Sequence, residues 1–169
     1  MSRSKQLNGA LWEDYLRIEL PNTYEDYDIE DVKKLQDDGV ILKPGQYRDS
    51  DGNKYPDFRC THIENKLERV YIDAKRKNGG YFKGRHYVTA DKTFLDAYGN
   101  VVQKDINEGI NATGILLFWH EVGGHAYLAP LEPHEWVDFK NNYGPDLSGC
   151  YWIDQLTPAP EFDGFADII

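Results

Sequence analysis

Sulfur is scarce in this 169-residue chain, which has two cysteines and one methionine. Cys60 and Cys150 are too few for a disulfide framework and lack the spacing of a zinc pair, so both are expected to be reduced thiols. Long apolar runs are missing too. None approaches the ~20 residues that a membrane span needs, so no membrane association is expected. The N-terminal M-S-R-S-K-Q-L-N-G is basic but has no apolar core, so it is not read as a secretory signal. With no targeting segment, a cytoplasmic location is expected. Positive charge is also in short supply. Lys and Arg number 19 against 29 Asp and Glu, for a formal charge of -10. That excludes a general nucleic-acid coat. No internal repeat is apparent.

What remains is a composition ordinary for a globular protein, rich in aromatics and long enough for one domain with an adequate core. The few cations are unevenly placed. Seven of them (Arg69, Lys75, Arg76, Lys77, Lys83, Arg85 and Lys92) fall between Arg69 and Lys92, against only Asp73 and Asp91. His86 is a further donor in that stretch. A local positive patch in an acidic chain suits a phosphodiester if a catalytic cluster lies beside it, and otherwise is a solvated basic loop.

The elements read as follows. Leu7, Leu11, Tyr15 and Ile18 recur at helical spacing in Ser4 to Leu20, Trp12 and Leu16 widen the stripe, and Pro21 is expected to end the helix. Glu13 lies near the edge of that stripe. It either pairs with Arg17 one turn on or points toward the next element. Ile29 to Leu35 suggests a short helix capped by Asp28 and closed by Gly39. Val40-Ile41-Leu42 suggests a short strand, and Pro44-Gly45 a turn. D-S-D-G-N at Asp49 to Asn53 has calcium-loop flavour but lacks the later Gly and Glu, so it is read as a plain loop. N-G-G-Y-F-K-G-R-H-Y after Lys77 reads as a mobile loop, in which Arg85 and His86 are candidates to clamp phosphate. From Val88 to Ile110 the signals conflict. Thr93 to Asp105 is compatible with a helix, and L-D-A-Y-G-N-V-V-Q also reads as strand, turn, strand. The preferred reading is a helix over at least Val101 to Asn111, on the four-residue recurrence of Val102, Ile106 and Ile110. Gln103 and Lys104 on it are read as solvent-exposed. Thr113 to Trp119 is an apolar run typical of a buried strand, and after the Gly123-Gly124 turn His125 to Leu128 returns as a second. Glu135 to Tyr143 is read as a short helix docked through Trp136 and Phe139. The chain thus divides into a domain over residues 1–143 and an irregular, aromatic and acidic extension over 144–169 packed on it.

The most informative stretch is Tyr55 to Lys77. Asp57 to Ile63 and Glu68 to Lys77 read as the arms of a β-hairpin, with Asn65-Lys66 at the turn and Val70-Tyr71-Ile72 as strong strand formers. Residues two apart in a strand share a face, so Asp73 and Lys75 project together. Antiparallel pairing brings Asp57 close to them. A carboxylate following V-Y-I in an apolar arm is costly unless a cation or donor meets it. Two carboxylates and an ammonium on one surface offer oxygen ligands to a hard divalent cation beside a proton-active group.

Pro56-Asp57, fifteen residues, then Asp73-Ala74-Lys75 resembles the signature of the PD-(D/E)XK nuclease superfamily. The resemblance extends in element order over roughly Leu7 to Leu131. It implies an α/β fold with a restriction-endonuclease-like core, a mixed β-sheet flanked by helices. It also implies a Mg2+- or Mn2+-dependent DNA endonuclease. By the same resemblance Asp57, Asp73 and the main-chain carbonyl of Ala74 would hold the metal. Lys75 would position or deprotonate the attacking water, and Glu13 would orient Lys75 or bind a second ion. Arg76, Lys77, Lys83, Arg85 and His86 would contact DNA. Size, the Glu-bearing helix and the basic stretch after Lys75 look most like the small Holliday-junction resolvases of bacteria and phages, which act as homodimers. The compartment expected is then that of a bacterial or phage-infected cell. The acidic charge departs from the usual basic character of those enzymes. A restriction, homing or general phage nuclease carries the same signature, and a catalytically silent nuclease fold acting as a binding protein is a third reading.

W-H-E-V-G-G-H-A at Trp119 to Ala126 superficially offers a zinc hydrolase built on His120, Glu121 and His125. The histidines are five apart rather than four, and two glycines oppose a helix at ~1 kcal/mol each, so a hairpin tip with exposed histidines is the preferred reading.

Overall fold

The computed structural model describes residues 3–42, 47–141 and 144–169. Helix α1 (Arg3–Thr23) is followed by strand β1 (Tyr27–Asp31), a short helix α2 (Val32–Asp37) and the hairpin β2 (Phe58–His62) and β3 (Glu68–Lys77). A second hairpin, β4 (Gly80–Phe82) and β5 (Arg85–Asp91), leads into α3 (Lys92–Asn107). Then come β6 (Asn111–His120), β7 (His125–Pro130), β8 (Glu135–Asn141), β9 (Gly144–Trp152) and the two-residue β10 (Thr157–Pro158). A 3-10 helix, Pro160–Asp167, closes the chain.

Six strands form one sheet in the order β1-β2-β3-β6-β7-β10. Its β3–β6 pair is parallel and its other pairs antiparallel, so the sheet is mixed. A parallel pair needs a long crossover, which β4, β5 and α3 supply. The remaining strands make an antiparallel sheet in the order β4-β5-β9-β8.

Alternation along β3 and β6 divides the core between the two faces of the large sheet. Ile72, Leu117 and Trp119 pack against Trp12, Leu16 and Leu20 of α1, with Phe162 and Phe165 from the C-terminal helix completing that side. Leu116 and Phe118 pack against Leu95 and Tyr98 of α3 on the other. Both faces of β6 are covered, which explains its continuous apolar sequence. The α1 side is an aromatic cluster: the Trp12 ring lies 5.6 Å from Trp119 and 4.9 Å from Phe165. Its indole N–H donates to the Leu117 carbonyl at 3.1 Å, so the polar end of the ring is satisfied.

Several expectations are overturned. The inward stripe of α1 is Trp12, Leu16 and Leu20, while Leu11 and Ile18 face outward. Pro21 sits inside the last turn and does not stop the helix there. The segment expected as a helix from Ile29 instead begins as edge strand β1, and the helix starts at Val32 with Asp31, not Asp28, accepting the Lys34 N–H as its cap. Val40 to Leu42 form no strand, although Ile41 is buried against Leu35. The glycine-rich stretch after Lys77 is a hairpin. Lys83 (φ 50°) and Gly84 (φ 80°) both take left-handed conformations, as a two-residue turn matched to strand twist requires. Helix α3 covers Lys92–Asn107, and its buried face is Leu95, Tyr98, Val101 and Asp105 rather than the 102/106/110 row; Asn111 already belongs to β6. Glu135–Asn141 is strand β8, and the first part of the expected irregular tail is strand β9. The expected Pro44-Gly45 turn and Tyr143 lie outside the described residues. Among the described residues, no helix is long and apolar enough to cross a membrane.

Candidate active site

The β2–β3 hairpin is present with the expected arms. Phe58 pairs with Ile72, and the ladder runs to Thr61 opposite Arg69. The Glu68 N–H donates to the Asn65 carbonyl, and the His62 ring nitrogen accepts from the Glu64 and Asn65 amides, which fixes the turn. One register step beyond the Phe58–Ile72 pair stands Asp57, opposite Asp73. Here β2 has ended. The Asp57 carboxylate takes its place by accepting the Ala74 N–H at 2.8 Å. In an extended strand the N–H and C=O of one residue point to the same side, so the Ala74 carbonyl is directed to this open edge as well.

Asp73 is almost fully buried, and its Oδ2 lies 2.9 Å from the Lys75 ammonium. The contact is an ion pair without hydrogen-bond geometry, so Oδ2 is a buried acceptor with no hydrogen bond. Burial works against the Lys75 charge, but Asp73, reinforced by Asp57, outweighs it and holds Lys75 above the ordinary lysine value. Burial, then the facing charge of Asp73, then that of Glu13 push the Asp57 carboxyl well above its ordinary range, and the Ala74 amide pulls back only in part. Glu13 is half-buried on α1. Burial raises its pKa, Arg17 lowers it, and the Asp73 charge raises it again. Its Oε1 is 3.3 Å from Arg17 Nη2, while Arg17 also binds Asp14 and Asp31. Glu13 is thus paired with Arg17, the first of the two alternatives, while the Asp73 charge still acts on it. Lys75 pairs with Asp73, not with Glu13.

Two carboxylates facing one another with one buried oxygen lacking a hydrogen bond form a site short of positive charge. That fits a hard divalent cation, which Asp57, Asp73 and the Ala74 carbonyl would hold. Among the described residues no three His, Cys, Asp or Glu side chains already converge as a metal cage, so Glu13 is not part of a preformed triad.

Three residues that the sequence did not single out line this site. Tyr98 of α3 faces Asp73; burial and then the Asp73 and Asp57 carboxylates hold its hydroxyl far above the usual tyrosine value, so it remains protonated. Phe94, one turn earlier, carries the Lys75 ammonium 5.1 Å from its ring centre. Lys54, just before Asp57, lies 4.0 Å over the same ring. Phe94 and Tyr98 precede the Val101 at which the preferred reading began the helix, whereas α3 starts nine residues earlier at Lys92.

The expected DNA contacts separate. Lys77 shares the face of Asp73 and Lys75 by strand alternation. Arg76 is on the opposite face, where it makes a two-pronged pair with Glu121 at 2.7 Å on both prongs and lies over Phe165. Arg85 makes a two-pronged pair with Asp154 and stacks 4.3 Å over Trp152. The His86 ring lies against Tyr81 and His120. Lys83 lies over Phe82 at the hairpin tip. Arg69 pairs with Asp105 and Lys92 with Asp96. Five of the seven cations of the basic stretch are thus paired with acids, the three arginines with acids distant in sequence and Lys75 and Lys92 with near ones. Gln103 donates to Asn107, and Lys104 pairs with Asp49 and Asp51, so neither joins the site.

His120 is buried, contrary to the exposed turn position expected. His125 is paired with Asp163 at 2.9 Å and Glu121 is taken by Arg76, while the His120 ring lies against His86.

Among solved structures the chain is similar to Hjc of Archaeoglobus fulgidus, a Holliday junction resolvase from an archaeal hyperthermophile. The TM-score is 0.50 at 10% identity, over 93% of this chain and 96% of that one. The fold is restriction-endonuclease-like. No family model matches the chain. No curated protein matches it.

Proposed function

We propose that this chain is a divalent-metal-dependent DNA endonuclease, using Mg2+ or Mn2+, that hydrolyses phosphodiester bonds in branched, Holliday-junction-like DNA as a homodimer. The observation that carries this reading is the meeting of Asp57, Asp73 and Lys75 at the open end of the β2–β3 hairpin, where β2 stops and a carboxylate replaces its ladder bond. The likeness in fold to a Holliday junction resolvase favours a branched substrate. Two copies related by a two-fold axis would present two such sites to a junction of matching symmetry.

A bound cation supplies an acidified water and neutralises charge building on the phosphorus. Asp57 and Asp73 would hold it, and the Ala74 N–H fixes the Asp57 carboxylate in place. Lys75, kept charged by Asp73, stabilises negative charge on the transferring phosphoryl group, the simpler of its two candidate roles. Tyr98 keeps its proton and offers a donor to Asp73. Phe94 supports the Lys75 ammonium and excludes water from one side of it. Glu13 adds negative charge close enough to favour cation binding.

A duplex nuclease of restriction, homing or phage type would use the same groups, and only the substrate separates it. The test is a cleavage panel of a four-way junction, the matching duplex and a single strand at one salt concentration with Mg2+. The junction is expected to be cut preferentially. Asp73→Ala is expected to lower the rate on the order of 10²- to 10³-fold while retaining its melting transition. Equal cutting of all three substrates would remove junction specificity. Full activity in Asp73→Ala would remove the site, and no cutting by the wild-type chain would favour a silent binding fold.

A further inference from the structure

Lys54 is delivered to the site by a braced loop. Its residue forms a β-bridge with Arg48, and the Tyr55 N–H donates to the Tyr47 carbonyl at 2.6 Å. Asp49 Oδ1 accepts the amides of Asp51 and Asn53, and Arg48 donates to the Gly52 carbonyl at 2.7 Å. Lys104 of α3 then clamps the loop through Asp49 and Asp51. The same helix supplies Phe94, on whose ring both lysine ammonium groups rest, Lys54 at 4.0 Å and Lys75 at 5.1 Å.

The two cations differ in what balances them. Lys75 is paired with Asp73. Lys54 meets no carboxylate at ion-pair distance among the described residues; its ammonium rests on the Phe94 ring, and Asp73 and Asp57 attract it only from farther away. Holding two ammonium groups on one ring costs electrostatic repulsion. Burial lowers the Lys54 pKa, the Lys75 charge is the next cause, and the Asp73 and Asp57 carboxylates offset them only in part. An anion reaching this pair of cations would relieve that repulsion, and a phosphodiester is the anion proposed for the neighbouring site.

We infer that Lys54 is a second phosphate-contacting residue, set beside Lys75 by the shared Phe94 ring, which takes a non-bridging oxygen of the DNA backbone next to the Asp57–Asp73 pair. This rests on the nuclease reading above. It adds a cation from outside the hairpin, on a loop whose position α3 fixes, so that α3 sets the spacing of both phosphate-facing charges.

The experiment is binding of a labelled four-way junction in chelator, followed by fluorescence anisotropy across a series of salt concentrations, with wild type, Lys54→Met and Lys54→Arg. Lys54→Met keeps an aliphatic stem on Phe94 and removes the charge. Its log-affinity against log-salt slope is expected to be shallower by about one. Lys54→Arg is expected to restore the wild-type slope. Lys54→Gln gives the same comparison should the Met variant melt early. An unchanged slope in a folded Lys54→Met protein, with wild type binding and cutting normally, overturns this inference and leaves the nuclease reading intact. A wild-type chain that neither binds nor cuts DNA overturns both.

Discussion

Asp57 destabilises the fold in the position it occupies. In the unfolded chain its carboxyl titrates near 3.8, and in the folded chain burial and Asp73 raise it well above that. Between the two values the folded state binds more protons. The stability linked to this group is therefore fully present below pH 3.8 and is lost as the pH rises toward the folded value. Asp57→Asn removes the like-charge contact. In chelator at pH 7 it is expected to melt above wild type, by about 2–4 °C for each kcal/mol relieved, and to lose DNA cleavage. Thermal melts at pH 4 and pH 7 check the sign: the gap between variant and wild type widens at the higher pH. Excess Mg2+ is expected to raise the wild-type melting temperature and not that of Asp57→Asn/Asp73→Asn, by mass action on the folded state. At this scale the sequence was informative because Asp73 follows three strand formers and strand alternation ties it to Lys75. Lys54, Phe94 and Tyr98 were not legible, since each reaches the site by tertiary placement of a loop and a helix.

Among the elements, the β2–β3 hairpin was legible from Val70 to Ile72 and the Asn65 turn, and β6 from its uninterrupted apolar run. Edge strand β1 was not, because Y-D-I-E-D carries three acids in five residues and edge pairing with β2 needs no apolar outer face. Strand β8 was misread because Trp136 and Phe139 are three apart, a helical spacing, while its pairing with β9 is what decides its state. The glycines after Lys77 serve close approach rather than mobility. A Cβ at Gly79 would lie 2.1 Å from the Tyr87 carbonyl oxygen, and its φ of 72° disfavours any side chain. Gly79→Ala is expected to cost at least about 1 kcal/mol and to loosen the β4–β5 hairpin. Urea unfolding and amide exchange over β4 and β5 check this; an unchanged midpoint would mean the hairpin adjusts freely.

Over the whole molecule, charge is the feature that changed most between sequence and structure. The local excess of cations is spent on Asp73, Asp105, Asp96, Glu121 and Asp154, four of them outside the stretch that suggested a patch. A chain of net charge -10 with its arginines matched in this way has few phosphate contacts to offer a plain duplex. Duplex binding is expected to be no tighter than the ordinary non-specific range of about 10⁻⁴ to 10⁻⁶ M at physiological salt, with the junction tighter. Anisotropy titrations with both DNAs decide this, and equal affinities would contradict a shape-reading enzyme. In the proposed mechanism Asp57, Asp73 and the Ala74 carbonyl hold a divalent cation at the end of the hairpin. Anomalous diffraction from crystals soaked in Mn2+ tests it most directly. A peak is expected between the two carboxylates and beside that carbonyl, absent in Asp73→Ala; a peak elsewhere, with none at this position in a chain that cuts DNA, rules this site out.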